Sequence, residues 1–205
     1  MAAGAGAIHV HVRGPDERES LAPEDVARAL TAIRAAVPGT AIGVSTGAWI
    51  VPDPAARLQA VGHWPLLPDF ASVNFHEDGA TELAELLRSR GVGIEAGLSN
   101  ARAAEVLLDS GLAGRYLRVM FEPQDQDADA ALGALAQMEG ILDQARIGLP
   151  RLLHGVDRTT WRLIDAAAAR GYDTRVGFED TLTLPDGTLA PNNAALVAAA
   201  CRAAG

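Results

Sequence analysis

The sequence predicts an α/β fold, a parallel sheet with helical crossovers arranged as a (β/α) barrel that lacks one unit. Two observations carry this. Short apolar runs alternate with Ala/Leu-rich amphipathic stretches along all 205 residues, the pattern that parallel strands joined by helices require. Aromatic residues make up only 4% while hydrophobic residues reach 49%. That palette suits close helix-on-strand packing better than an aromatic-rich sandwich.

Seven strands are read, at Ala7 to Val12, Ala41 to Ser45, Ala71 to Phe75, Val92 to Ala96, Tyr116 to Phe121, Arg151 to His154 and Thr174 to Phe178. Helices fall between them near Pro23 to Val37, Pro54 to Gly62, Ala80 to Arg90, Ala101 to Ser110, Asp129 to Ala145 and Thr159 to Arg170, with a last one near Asn192 to Ala204. Ser20-Leu-Ala-Pro23-Glu-Asp supplies a cap, an early proline and first-turn acids for the first helix, and Pro38-Gly39 closes it. Gly91, Gly111 and Gly171 each stand just past a helix, where a left-handed terminating residue belongs. No low-complexity linker, charge run or shift of composition marks a boundary, so residues 1–205 read as one domain.

The balance of 17 Lys+Arg against 26 Asp+Glu gives a net charge of −9, which leaves no general attraction to nucleic acid or to an anionic membrane. Cys201, the single cysteine, reads as a small core residue on the closing helix and has no partner for an intrachain disulfide, which fits a reducing cytoplasm. The start, Met1-Ala-Ala-Gly-Ala-Gly, carries neither a positive n-region nor an apolar h-region. Nowhere do about 18 apolar residues run together, as a membrane span requires. The expectation is a soluble, cytoplasmic protein.

In parallel barrels the side chains that do chemistry project from the C-terminal ends of strands and the loops that follow. Here those ends are polar: His9-Val-His11, Ser45-Thr46-Gly47, Asn74-Phe-His76-Glu77, Glu95-Ala-Gly97, Glu122, His154-Gly155 and Arg175-Val-Gly-Phe-Glu179-Asp180. His9 and His11 stand two apart on a strand, so both imidazoles face one side and match chelate spacing for a single metal ion. The alternative is a pair of histidines hydrogen-bonded in a polar barrel mouth. The last strand shifts the balance, because Arg175, Gly177 and Glu179 alternate onto one face and offer a carboxylate as third ligand. Two imidazoles and a carboxylate hold a catalytic divalent metal with positions left open for water or substrate.

Asp180 pairs with Arg175 either as a general base or as a structural ion pair that holds the last strand. Ser45 and Thr46 offer hydroxyls beside the close-approach backbone of Gly47, suited to anchoring a carboxylate or carbonyl. Asn74, with His76 and Glu77, lines the same mouth or satisfies loop backbone. Glu95 is a lone acid in an apolar strand, which a metal, a cation or a proton must compensate. His154 is read as a support behind the ligands.

Taken in order, Gly6-Ala-Ile-His9-Val-His11-Val-Arg13, Gly43-Val-Ser45-Thr46-Gly47, Ala71-Ser-Val-Asn74-Phe75, Arg175-Val-Gly-Phe-Glu179-Asp180-Thr-Leu, Pro185-Asp-Gly187 and Asn192-Asn193 run over nearly the whole chain. In these motifs and their spacing the sequence resembles the β-keto acid cleavage enzymes, also called 3-keto-5-aminohexanoate cleavage enzymes. The resemblance implies a TIM-type (β/α)8 barrel, zinc or another divalent metal on His9, His11 and Glu179, and a retro-Claisen-type reaction. In that reaction a β-keto acid and the co-substrate acetyl-CoA become acetoacetate and a new acyl-CoA. It further implies Arg175 and Asp180 as the catalytic pair, Ser45, Thr46 and Glu95 as pocket residues, which Asn74 is expected to join in binding substrate from its place in the same mouth, and a homo-oligomer whose partners are a small β-keto acid and a CoA thioester.

Members of that family begin with a further strand and helix before the His-containing strand, so the barrel is expected to lack its first β-strand and helix. Such a gap exposes two strand edges. Two other readings stand beside the resemblance. An amidohydrolase-like metal hydrolase also opens with His-x-His on an early barrel strand, and an inactive truncated homologue would persist as a binding or scaffold protein.

Overall fold

Apolar runs bounded by Gly, Pro or Asp form the strands, and stretches where Ala and Leu recur at helical spacing form the helices. The computed structural model describes residues 3–204. Along the chain, β1 (Ala7–Val10) leads to α1 (Pro23–Ala36), β2 (Ala41–Ser45), α2 (Pro54–Gly62), β3 (Phe70–Asn74), α3 (Ala80–Ser89) and β4 (Gly93–Leu98). Then come α4 (Ala101–Asp109), β5 (Arg118–Phe121), α5 (Ala128–Gln144), β6 (Arg151–Leu153), α6 (Thr160–Arg170) and α7 (Asn193–Ala204), with short 3-10 turns at Ala113–Arg115 and Asp157–Thr159. The strand order is β1-β2-β3-β4-β5-β6. β1 runs parallel to β2, β2 to β3 and β5 to β6.

The chain divides into two compact units, Gly6–Ala96 and residues 97–204 with 3–5, and the boundary falls inside β4. In the first unit, β2 and β3 are buried at nearly every position on both faces, as parallel strands under helices are. Gly43 stands opposite His9 on one side and Phe70 on the other. A Cβ at Gly43 would lie 2.1 Å from the Phe70 ring, so glycine there is what lets Phe70 fill the sheet face. The buried indole of Trp64 donates to the Leu21 carbonyl at 2.9 Å. Arg57, also buried, pairs with Glu77 at 3.2 Å and donates to the Asp78 carbonyl.

In the second unit α5 buries Ala131, Leu135, Met138 and Leu142, and α6 buries Leu163, Ile164 and Ala167, both at helical spacing. Gly171 ends α6 at φ 67, and Gly91 and Gly111 likewise take positive φ, as their places after helices predict. Beside the N-terminal end of β6, Arg151 pairs with Asp143 and donates to the Tyr172 hydroxyl at 2.9 Å, which in turn donates to Glu139. Among the described residues no helix is long and apolar enough to cross a membrane.

Element boundaries follow the sequence reading to within a residue or two, with three corrections. Thr174–Phe178 is not a strand. Its pairing is a single parallel bridge between Asp173 and Leu152, because β6 is only three residues long and the chain then turns, with the Asp180 and Thr181 amides both donating to the Gly177 carbonyl. Among the described residues the sheet therefore has six strands, not seven. Ser20 is not the cap of α1; Ala22 holds that position. Ser20 instead accepts from the Ala22 amide and donates to Asp25 at 2.6 Å. Cys201 is exposed, not a core residue. α7 buries Leu196, Ala199 and Ala200, and one further residue turns the side chain about 100° away.

Candidate functional site

The unit Gly6–Ala96 carries the two histidines. His9 lies on β1 and His11 just past its end, and the alternation expected of a strand keeps them on one side: the ring centroids are 5.4 Å apart in a T-shaped arrangement. Each Nδ1 is engaged. His9 Nδ1 is 3.3 Å from the Ser72 hydroxyl, and that hydroxyl donates its one proton to the buried Glu95 carboxylate at 2.6 Å. The Ser72 oxygen can then only accept, so the His9 Nδ1 that faces it carries a proton. His11 Nδ1 is 3.1 Å from Glu19 Oε2, and a carboxylate only accepts, which sets the same tautomer.

Glu19 reaches His11 because the chain doubles back on itself. Arg13 and Glu19 form an antiparallel bridge, the Ser20 amide donates to the Val12 carbonyl at 2.8 Å, and the turn between closes with Glu17 at φ 64. Trp49 lies over His11, with centroids 5.9 Å apart and planes 22° from parallel, and its indole N–H donates to Glu19 Oε2 at 2.7 Å.

The other residues expected in this unit are tied into the strand ends. Thr46 Oγ1 donates to the Ser72 carbonyl at 2.7 Å, Ser45 is buried beside it, and Asn74 donates to Glu77 Oε1 at 3.0 Å. Glu77 Oε2 accepts from the Ala48 amide at 2.9 Å and from Arg57. The loops after β2 and β3 are thereby fastened to each other. Gly47 is a place of close approach, as expected, but what approaches is the Trp49 ring, 2.1 Å from where a Cβ would stand.

The second unit carries Arg175, Glu179 and Asp180. The turn at Gly177 folds the segment so that Arg175 Nη2 lies 3.2 Å from Glu179 and 3.7 Å from Asp180. Asp180 is 2% exposed, and its backbone carbonyl accepts from the Asp157 amide and from Thr160 Oγ1. These two bonds fix the Asp180 backbone beside Arg175.

Behind it lies His154, fully buried, with Nδ1 3.2 Å from Asp180 and Nε2 3.6 Å from Glu122. Burial disfavours its charge and so does Arg175, yet the carboxylates of Asp180 and Glu122 outweigh both and raise the His154 pKa. Burial works to raise the Glu122 pKa, but His154 and then Arg175 hold it below the usual carboxylate value. Acidic and basic side chains alternate along this cluster, so each buried group faces one of the opposite kind.

Glu122 is a member of this cluster that its place at a strand end did not announce as a partner of His154. Glu19, Ser72 and Trp49 are further residues whose roles the spacing did not show. The signal for Glu122 and His154 was their common place at the ends of neighbouring strands. The Glu122 amide donates to the Leu98 carbonyl, and the His154 amide to that of Phe121.

Imidazole and carboxylate are donor types that a divalent metal takes: the first unit offers the paired rings of His9 and His11, and in the second the Glu179 carboxylate is 42% exposed on its turn. Nitrogen and carboxylate donors of this kind suit zinc.

Comparison with known proteins places these features in a context. A model of the beta-keto acid cleavage enzyme family matches residues 1–205. The chain is 31% identical to a 3-oxoadipate:acetyl-CoA acetyltransferase of Cupriavidus necator, covering 95% of this chain and 73% of that protein. It is 28% identical to a 3-keto-5-aminohexanoate cleavage enzyme of Fusobacterium nucleatum, covering 95% and 75%. Among solved structures, apo ObcA aligns with a TM-score of 0.72 at 17% identity, and the match covers 98% of this chain but 58% of ObcA. CitE of Mycobacterium tuberculosis, complexed with the triphosphate group of ATP, aligns with a TM-score of 0.51 at 14% identity over 100% of this chain and 99% of CitE. At these identities the two structures bear on the fold alone.

Proposed function

Because the chain belongs to the β-keto acid cleavage enzyme family, we propose that it converts a β-keto acid and acetyl-CoA to acetoacetate and a new acyl-CoA, with zinc or another divalent metal held by His9, His11 and Glu179. The relatives' names support the reaction, one being an acetyl-CoA acetyltransferase and the other a cleavage enzyme for a 3-keto acid. The observation that carries the metal is the pair of imidazoles whose Nδ1 atoms are both engaged, by Ser72 and by Glu19.

A metal bound there supplies a Lewis acid for the keto and carboxylate oxygens of the substrate and lowers the cost of enolate-like charge. Asp180 is the proposed base. It takes a proton from the methylene between the substrate's two carbonyl carbons, and Arg175, 3.7 Å from it, pairs with the developing negative charge. The proton returns from Asp180 to the same carbon when acetoacetate forms. Across the exchange the acetyl group leaves CoA for that carbon, and the acyl group leaves that carbon for CoA. Ser45, Thr46, Glu95 and Asn74 are proposed to line the β-keto acid pocket.

We further propose a single domain of TIM-barrel type that works in the cytoplasm as a homo-oligomer. The experiment is a screen of β-keto acids with acetyl-CoA, reading acetoacetate. Turnover that stops on chelation and returns with zinc is expected. Turnover that withstands removal of all metal, or none on any β-keto acid by a folded, zinc-loaded protein, would overturn the reading.

A further inference from the structure

The carboxylate of Glu19 does not enter the reaction as proposed, yet it is held with care. Its Oε2 receives both His11 Nδ1 at 3.1 Å and the indole N–H of Trp49 at 2.7 Å. Three features of the chain converge to place it. The antiparallel return at residues 13 and 19 brings Glu19 back beside β1. The absence of a side chain at Gly47 leaves room for the Trp49 ring, which a Cβ there would meet at 2.1 Å. The indole then lies over the His11 ring, 22° from parallel, so His11 is held in its own plane by the carboxylate and across its face by the indole.

We propose that Glu19 and Trp49 form an orienting clamp that fixes His11 as an Nε2 ligand and raises that nitrogen's basicity, so that Glu19 sets the affinity for the metal without touching it. This rests on the metal reading above. A carboxylate on the distal N–H of a ligating histidine locks the tautomer, orients the ring and strengthens the ligand nitrogen. The indole N–H fixes the carboxylate in turn. Trp49 remains 56% exposed, although a large aromatic ring ordinarily seeks burial. Its contacts with Glu19, His11 and Gly47 account for its place on the surface. Glu19 is a positioning residue in this scheme.

The test is zinc affinity, measured on the purified chain by competition with a chromophoric chelator. Glu19→Gln keeps the shape of the side chain and removes its charge, and is expected to weaken zinc binding by about 10–100-fold, the usual effect of removing an outer-shell partner. The melting temperature should stay unchanged, because the residue sits on a part-exposed return. Glu19→Asp keeps the charge on a shorter arm and should recover part of the loss. Zinc should also change the tryptophan fluorescence of the wild type, and Trp49→Phe should abolish that change.

Two other outcomes are informative in different ways. Glu19→Gln binding zinc as tightly as the wild type, while His9→Ala/His11→Ala binds none, would overturn the clamp and leave the metal reading intact. Wild-type affinity persisting in His9→Ala/His11→Ala would overturn the metal reading, and the clamp with it.

Discussion

Replacing Glu77 by Gln should destabilise the protein well beyond an ordinary surface change. Arg57 and Glu77 are 1% and 8% exposed and 3.2 Å apart. Two unit charges at that distance attract by about 5 kcal/mol at an effective dielectric of about 20. A neutral amide forfeits that attraction and leaves the Arg57 charge buried, and breaking one side of a buried pair costs about 3–5 kcal/mol. The Gln carbonyl still accepts one bond, which puts the expected loss near the lower end, about 3 kcal/mol.

For a chain of this size, that is a fall in melting temperature of about 6–12 °C, read by circular dichroism. The double variant Arg57→Leu/Glu77→Leu should lose less than Glu77→Gln, since no charge is left buried. The same carboxylate holds the Ala48 amide and Asn74, so hydrogen exchange at Ala48 should rise in Glu77→Gln. A melting temperature within about 2 °C of the wild type would refute this account of how the Ser45-Thr46-Gly47 loop is fastened.

His154 contributes a pH-dependent stability whose sign follows from its raised pKa. The contribution is fully present below the ordinary histidine value of 6.5 and is lost as pH rises through the higher folded value. The urea midpoint of the wild type should therefore exceed that of His154→Gln most in mildly acidic buffer and by less in alkaline buffer. A difference that grows with pH would contradict the assignment. Glu122 acts in the opposite sense, with stability present above its ordinary value of 4.5 and lost as pH falls through the depressed folded one. Gly155→Ala should be harmful beside His154, because the added Cβ would lie 2.8 Å from the backbone carbon and oxygen of Thr159. A loss of about 1–3 kcal/mol in urea unfolding is expected, against none for Gly114→Ala, where the space is open; equal midpoints for the two variants would be contrary to it.

Much of the fold was legible because its signals are local. The stop of α6 at Gly171 and the proline that opens α2 are written in single residues. The two-residue spacing of His9 and His11 likewise put both rings on one side, as their contact shows. What escaped depends on partners distant in sequence. Thr174–Phe178 has the composition of a strand, but a strand needs an opposing edge, and β6 offers only three residues before the chain turns at Gly177.

Alternation therefore gave a face for Arg175 and Glu179 that the chain does not have, and a turn, not a pleat, brings these two within 3.2 Å. Glu19 stood eight residues from His11 with nothing in the spacing to join them, since its approach depends on the return between residues 13 and 19. The alternation of Glu122, His154, Asp180 and Arg175 depends on two strand ends and a turn meeting. Cys201 was misplaced by a single step around α7.

The central claim is the exchange of acyl groups between a β-keto acid and CoA on a metal held by His9, His11 and Glu179. The most direct measurement follows acetyl-CoA labelled with carbon-13 at its carbonyl through zinc-loaded protein and a β-keto acid. The account predicts that the label arrives at the keto carbon of acetoacetate while an unlabelled acyl-CoA forms in equal amount, and that neither product appears with His9→Ala/His11→Ala. Label released as free acetate with no new acyl-CoA, or the same products from the double variant, would contradict it.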